Sequence, residues 1–241
     1  MTTSLGGIKG LIRRRILVNY RVNPELIQRE LPRPFRPKLH GSEAIAGICL
    51  IRMEQVRPAF MPMRIGVYSE NAAHRVAVVW DDEDGLEREG VFIVRRDTSS
   101  PFNRLLGGRA FPGEQQSASF DVEDTTENIR LSVSSSDGDV EVRLTARLCE
   151  HLPTTSQFAS MDEASRFFER GADGYSARKS SSRLEGMQLR SPDWRVEPLD
   201  VSEHFPSYFT DETRFPRDSV TFDSALIMRD LQHEWRRLPL L

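Results

Sequence analysis

Alternation between apolar and polar positions dominates this chain. Residues 16–22 (Ile16, Leu17, Val18, Tyr20 and Val22) read as a strand, and so do 44–53, 75–80 and 87–95. Asp81-Asp82-Glu83-Asp84-Gly85 lies between the last two and has the turn chemistry of a hairpin. A second hairpin is predicted from 129–135 and 139–148 around Ser136-Asp137-Gly138. There Val140, Val142 and Leu144 alternate with Glu141, Arg143 and Thr145, the period of two of a half-buried strand. Further strands are predicted at 174–178, 186–190, 193–201 and 219–229.

Helices are few, short and marked by their caps. Asn23-Pro24-Glu25 supplies an N-cap, a proline at the first helical position and an early acid. That helix should end by Leu31, because Pro32, Pro34 and Pro37 follow. Ser100-Pro101, then Phe102, Leu105, Leu106 and Gly107-Gly108, predicts one or two helical turns. Ser160-Met161-Asp162-Glu163 is a capping box, Phe167 and Phe168 give its helix an apolar face, and Gly171 ends it. Strands outnumber helices and no linker or repeat divides the chain. The predicted fold class is mainly β (α+β), one curved or closed antiparallel sheet over residues 13–241 after a mobile segment 1–12.

Composition narrows the function. With 38% hydrophobic and 29% charged residues the chain has ordinary globular composition, which argues against disorder. A net charge of -3 argues against a nucleic-acid partner. No apolar stretch approaches the ~20 residues of a membrane span. The basic cluster Arg13-Arg14-Arg15 runs into a strand rather than an apolar leader, so a cytosolic protein without a membrane partner is expected. Lys9, Lys38 and Lys179 are the only lysines beside 30 arginines, a lopsidedness that coding bias explains. Any lysine-based mechanism therefore has three candidates. Cys49 and Cys149 are read as core cysteines rather than a disulfide framework. Five histidines without ligand spacing, no glycine-rich phosphate loop and no Gly-x-Ser-x-Gly elbow imply no metal, no cofactor and no hydrolase triad.

What remains are charges set inside or at the ends of apolar strands: Arg21, Glu70 and Arg95-Arg96-Asp97. Each alone is read as a structural ion pair. Converging at the mouth of a barrel, they would grip a small carboxylate and carry an acid or base. His74, four residues after Glu70, is read as a core or surface histidine.

These same residues carry a family resemblance. Tyr20-Arg21-Val22-Asn23-Pro24-Glu25 with Leu31-Pro32, then Tyr68-Ser69-Glu70, then Arg96-Asp97, resembles the ordered motifs of acetoacetate decarboxylase-like proteins over residues 13–110. Arg95-Arg96-Asp97-Thr98-Ser99 and the tail Met228 to Trp235 resemble an uncharacterised bacterial branch of that superfamily. The resemblance implies a cone- or barrel-like sheet around a small pocket, with Arg21 orienting a substrate carboxylate and Glu70 at the reacting centre. The family's lysine pair, whose Schiff base drives decarboxylation, falls on Asn103 and Arg104. Neither side chain can form that adduct.

The expected function is therefore acid/base chemistry on a small carboxylate or carbonyl ligand without a Schiff base. Glu70 and Asp97 are the catalytic candidates, and Arg21, Arg96, Asn103 and Arg104 the substrate-binding ones. The alternatives are a non-catalytic ligand-binding protein on the same scaffold and a structural protein whose pocket is filled. A homo-oligomer is left open.

Overall fold

The computed structural model describes residues 7–60, 67–105, 112–178 and 181–241. Thirteen strands form one sheet. In chain order they are β1 (Ile8–Val22), β2 (Arg36–Pro37), β3 (Leu39–His40), β4 (Glu43–Pro58), β5 (Val67–Asp81), β6 (Glu87–Thr98) and β7 (Gln116–Asp124). There follow β8 (Asn128–Ser135), β9 (Glu141–Leu148), β10 (Asp173–Arg178), β11 (Ser181–Arg190), β12 (Glu197–Pro206) and β13 (Val220–Arg237). Four helices interrupt them: α1 (Pro24–Ile27), α2 (Pro101–Leu105), α3 (Met161–Arg170) and α4 (Ser207–Thr210).

The caps act as their sequences imply. Asn23 Oδ1 accepts from the backbone N–H groups of Glu25 and Leu26, and α1 tightens into a 3-10 turn over Gln28–Glu30. Ser160 Oγ accepts from Glu163 N at 3.2 Å, while the Glu163 carboxylate reaches back to Ala159 N at 2.8 Å. Both bonds satisfy N–H groups that a helix start leaves without partners.

Several expectations are corrected. β1 begins at Ile8, and Ile8, Lys9, Leu11 and Ile12 pair with both β13 and β4, so this stretch is not a mobile lead-in. β7 was not expected, although Ala118, Phe120 and Val122 alternate with Ser119, Asp121 and Glu123; of the three only Ala118 is buried. The strand expected at 193–201 lies at Glu197–Pro206, and β13 runs on to Arg237. Two short pairings are parallel, β6 with β7 and β6 with β10. Cys149 is only half-buried, its Sγ donating to the His151 carbonyl. Gly107-Gly108 and Lys179 lie outside the described residues.

The pairings close the sheet twice. β13-β1-β4-β5-β6 is a continuous wall, joined on one side through β7-β8-β9-β12 and on the other through β10-β11. A ring of nine strands and a ring of seven thus share five. Successive side chains of a strand point to opposite faces, so the wall sends alternate residues to different surroundings. Ile16, Val18, Tyr20 and Val22 enter the large apolar core with Leu131, Val133, Leu144 and Ile227. Leu17 joins the other face, where Ala164 and Phe168 of α3 pack against Ile45, Cys49, Ala73, Ala77 and Leu226.

Gly47 keeps β1 and β4 at their spacing. A Cβ there would sit 2.1 Å from the Val18 carbonyl oxygen, which is backbone and cannot turn aside. Gly47→Ala is expected to cost at least the upper end of the 1–3 kcal/mol typical of overpacking. Urea denaturation measures this; a loss below about 1 kcal/mol would refute it.

Candidate functional site

Register across the shared wall builds a pocket on the α3 side, mainly apolar in surface with arginines set around it. Leu17, Cys49, Ala73 and Arg96 form one row across β1, β4, β5 and β6. Arg15, Ile51 and Asn71 form the row on one side of it, and Asn19, Gly47, Arg75 and Ile93 the row on the other. Small residues at the centre leave space, and three arginines stand around it. The result is a cavity of about 110 Å³ lined by Arg15, Arg75, Arg96, Asn71, Asp97 and Cys49. Apolar side chains complete it, among them Ile51, Ile93, Met187, Leu189 and Trp235. Its strands are all members of the seven-strand ring.

None of the three guanidinium groups has a carboxylate within ion-pair reach. Arg15 Nε donates to Cys49 Sγ at 3.2 Å and its guanidinium stacks over Trp194. Arg75 donates to Asn19 Oδ1 at 2.5 Å and lies over the Phe168 ring, while its buried Nε has no partner among the described residues. Arg96 Nε donates to Ser176 Oγ at 3.2 Å. Every aspartate and glutamate of the chain lies within the described residues, so no further carboxylate side chain remains to neutralise these cations. Burial without a counter-charge pulls Arg75 and Arg96 down to about 10. Both remain charged at neutral pH. Arg96 is half-buried and borders both this cavity and a second one.

The second of these cavities is larger, about 760 Å³, and lies between β6, β10 and α4. Its other cations are paired: Arg95 with Asp97, Asp137 and Asp139, Arg214 with Glu30 and Asp211, and Arg178 with Glu185. A satisfied polar cleft has little to gain from an anion. The smaller pocket has its charges waiting, and uncompensated buried charge is the costlier arrangement.

Of the residues singled out from sequence, Arg96 reaches this pocket; Asp97 lies along its border, but opposite Ala72 its carboxylate turns to the large-core face, which corrects its expected place beside the ligand. The Asp97 carboxylate accepts three hydrogen bonds from Arg95 at 2.8–3.1 Å, yet burial still raises its pKa. Asn103 stands one step back: its amide donates to Ser69 Oγ, which also accepts from the Asn71 amide. Arg104 points away to Ser117 Oγ. Glu70 and Arg14 face the opposite side of the wall, joined at 2.6 Å, with the second Arg14 amino group 3.1 Å from Asp124. Burial raises the Glu70 pKa despite that partner. Arg21 sits six residues beyond Arg15, about 20 Å along the strand, between Glu43 and Asp223 at 3.7 Å each. It is linked inward only through a buried chain, Asp223 to Ser224 to Asn19 to Arg75. Arg21, Glu70 and Arg96 do not converge. His74 is fully buried in the large core beside Tyr208 and Phe209.

Comparison with known proteins places this geometry in context. A family model, DUF2071, described as an uncharacterized conserved protein, matches residues 12–225. The chain belongs to the DUF2071 family. That match spans both rings and nearly every residue of the pocket. No curated protein matches the sequence. Among solved structures, acetoacetate decarboxylase from Legionella pneumophila is similar at 12% identity with a TM-score of 0.61, covering 100% of this chain and 90% of that one. An acetoacetate decarboxylase-like enzyme from Sphingomonas wittichii RW1 follows at 10% identity and TM-score 0.59, covering 96% and 92%. The enduracididine biosynthesis enzyme MppR, in complex with pyruvate, gives 11% and 0.59, covering 100% and 91%. At such identities the likeness concerns the fold. This DUF2071 chain has the acetoacetate decarboxylase-like architecture.

Arg15, Arg75 and Cys49 were missed from sequence. Their signal was present in faint form: Arg75 interrupts the apolar run from Ala72 to Val79, and Arg15 heads the first strand. Among the described residues, no helix is long and apolar enough to cross a membrane.

Proposed function

We propose that this protein binds a small organic acid or carbonyl compound in the arginine pocket and acts on it without a Schiff base. The carrying observation is the set of three guanidinium groups, Arg75 buried and Arg15 and Arg96 half-buried, with no carboxylate to neutralise them. Arg75 and Arg96 would hold the ligand's carboxylate or stabilise an enolate as charge develops. Asp97 pairs with Ala72 of the large core and is held by Arg95 on that face, so any proton it moves would have to pass through the wall, and the pocket itself supplies cations rather than a carboxylate base.

Lysine chemistry has little to work with. Asn103 and Arg104 occupy the positions where the resemblance puts the lysine pair. Among the described residues no lysine lines the pocket. Lys38 borders an adjoining small void, but its ammonium is bound to Glu89 and lies over the Phe167 ring. Binding without turnover is the second reading. It is favoured by the hold of Arg95 on Asp97, which leaves that carboxylate engaged rather than free.

Substitution separates a ligand site from a structural one. A guanidinium held near 10 instead of 12.5 has lost about 3 kcal/mol of its preference for the charged form. Arg75→Met should therefore leave the unliganded protein as stable as before, or more so, while removing ligand binding. In thermal melts with small keto, hydroxy and unsaturated acids, a ligand at ~100 times its Kd adds about 2.7 kcal/mol. For a chain of this size that is a Tm rise of roughly 5–10 °C. The rise should appear in the parent and vanish in Arg75→Met. A sharp loss of unliganded stability in Arg75→Met, or no rise with any acid, would refute the reading. Product formation from any of these acids, lost in Arg96→Met, would distinguish turnover from binding alone.

A further inference from the structure

The charge count in the pocket says more than that an acid binds there. Arg15, Arg75 and Arg96 contribute three cations, and the one carboxylate at its border, Asp97, is shared with Arg95. A monocarboxylate would leave at least one guanidinium uncompensated, in a place where Arg75 is 3% exposed and its Nε lacks a partner. A ligand with two negative charges leaves one cation over where a monocarboxylate leaves two.

The layout selects among dianions. Arg15 and Arg75 lie in rows on opposite sides of the Leu17–Cys49–Ala73–Arg96 row, so the cations surround the centre rather than crowd one point. Between and beside them the wall is apolar: Ile51 and Ala73 on the floor, with Met187 and Trp235 across the cavity. A phosphate gathers its charge in one compact group of oxygens and offers no carbon to such surfaces. A short carbon chain with a carboxylate at each end matches both the spread of the cations and the apolar span between them. A cavity of about 110 Å³ suits a chain of only a few carbons.

We infer that the pocket is selective for a small dicarboxylate, with Arg15 and Arg75 as the specificity-determining pair beside Arg96. This rests on the reading of the pocket as a ligand site and narrows it to a chemical class.

The test is isothermal titration of the full-length protein with matched pairs: malonate against propionate and succinate against butyrate, with inorganic phosphate as a third arm. At least one dicarboxylate should bind tenfold or more tightly than its monocarboxylate partner, and more tightly than phosphate. Arg15→Met, checked for native melting, should cut that preference to below about threefold, while Arg75→Met should bind neither member of a pair measurably. Equal binding of the members of each pair would overturn the dianion inference while leaving an acid site standing. Tightest binding by phosphate would overturn it in favour of a phosphorylated ligand. Binding by none of the acids would remove the proposed function together with it.

Discussion

Arg14→Met should destabilise the protein by about 3–5 kcal/mol, the usual penalty for removing one partner of a buried ion pair. Arg14 is completely buried, and Glu70 is 5% exposed. Without Arg14, Asp124 keeps two hydrogen bonds from Arg229, at 2.8 and 3.3 Å. Glu70 keeps only a 3.4 Å contact from the Tyr68 hydroxyl. Its carboxyl, already raised by burial, would take up a proton rather than stay charged. The double substitution Arg14→Met/Glu70→Met should recover most of the loss, because two apolar side chains replace a pair that nothing then leaves stranded. Chemical denaturation of parent, single and double variants measures this. A single-variant loss under 1 kcal/mol, or a double variant no better than the single, would contradict it. The double variant should also retain ligand affinity, since Glu70 faces away from the arginine pocket.

Acid should unfold the protein through His74. The ring is buried in the apolar core, neither nitrogen has a partner among the described residues, and Arg95 and Arg214 lie near enough to repel a second proton. Its pKa is pushed down to about 3, chiefly by burial. A histidine with a native pKa below its unfolded value of 6.5 binds fewer protons when folded. Its contribution is therefore complete above pH 6.5 and drains away as the pH falls towards 3. At pH 4.5 the loss from this residue is about 2–3 kcal/mol. His233, also pushed down by burial, to about 4, adds a second slope over the upper part of that window. His74→Leu should be at least as stable as the parent at pH 7 and should lose correspondingly less between pH 7 and 4.5. Parallel stability curves for the two proteins would show that the ring does not titrate in this way.

The elements were legible in the sequence where one signal was unopposed. Apolar runs found β1 and β4, period-two patterning found β8 and β9, and capping residues found α1 and α3, because each pattern has a local cause. β7 carries the same alternation over only Ala118, Phe120 and Val122, too brief a run to stand out. The site was legible only in part, for a reason of parity. A strand turns successive side chains to opposite faces, so Glu70 and Asn71 are neighbours in sequence and strangers in space. Arg14 and Arg15 divide in the same way. Motif order located the right strands and Arg96-Asp97, but it could not tell which member of each adjacent pair met the pocket. Nor could it see that Arg21 lies far along its strand with carboxylates of its own. Whether a strand arginine is paired depends on what closes over it from β10, β11 and β13. That information is spread across residues 80 or more positions away.

The wall shared by the two rings also decides how this protein could be changed. Because it divides the large apolar core from the small arginine-rimmed chamber, residues 15, 49, 51, 71, 73 and 75 can be randomised with little disturbance to the core side. A library confined to those positions would explore new specificities while the opposite face holds the chain together. In this architecture the route to a different substrate is written into alternate letters of five strands.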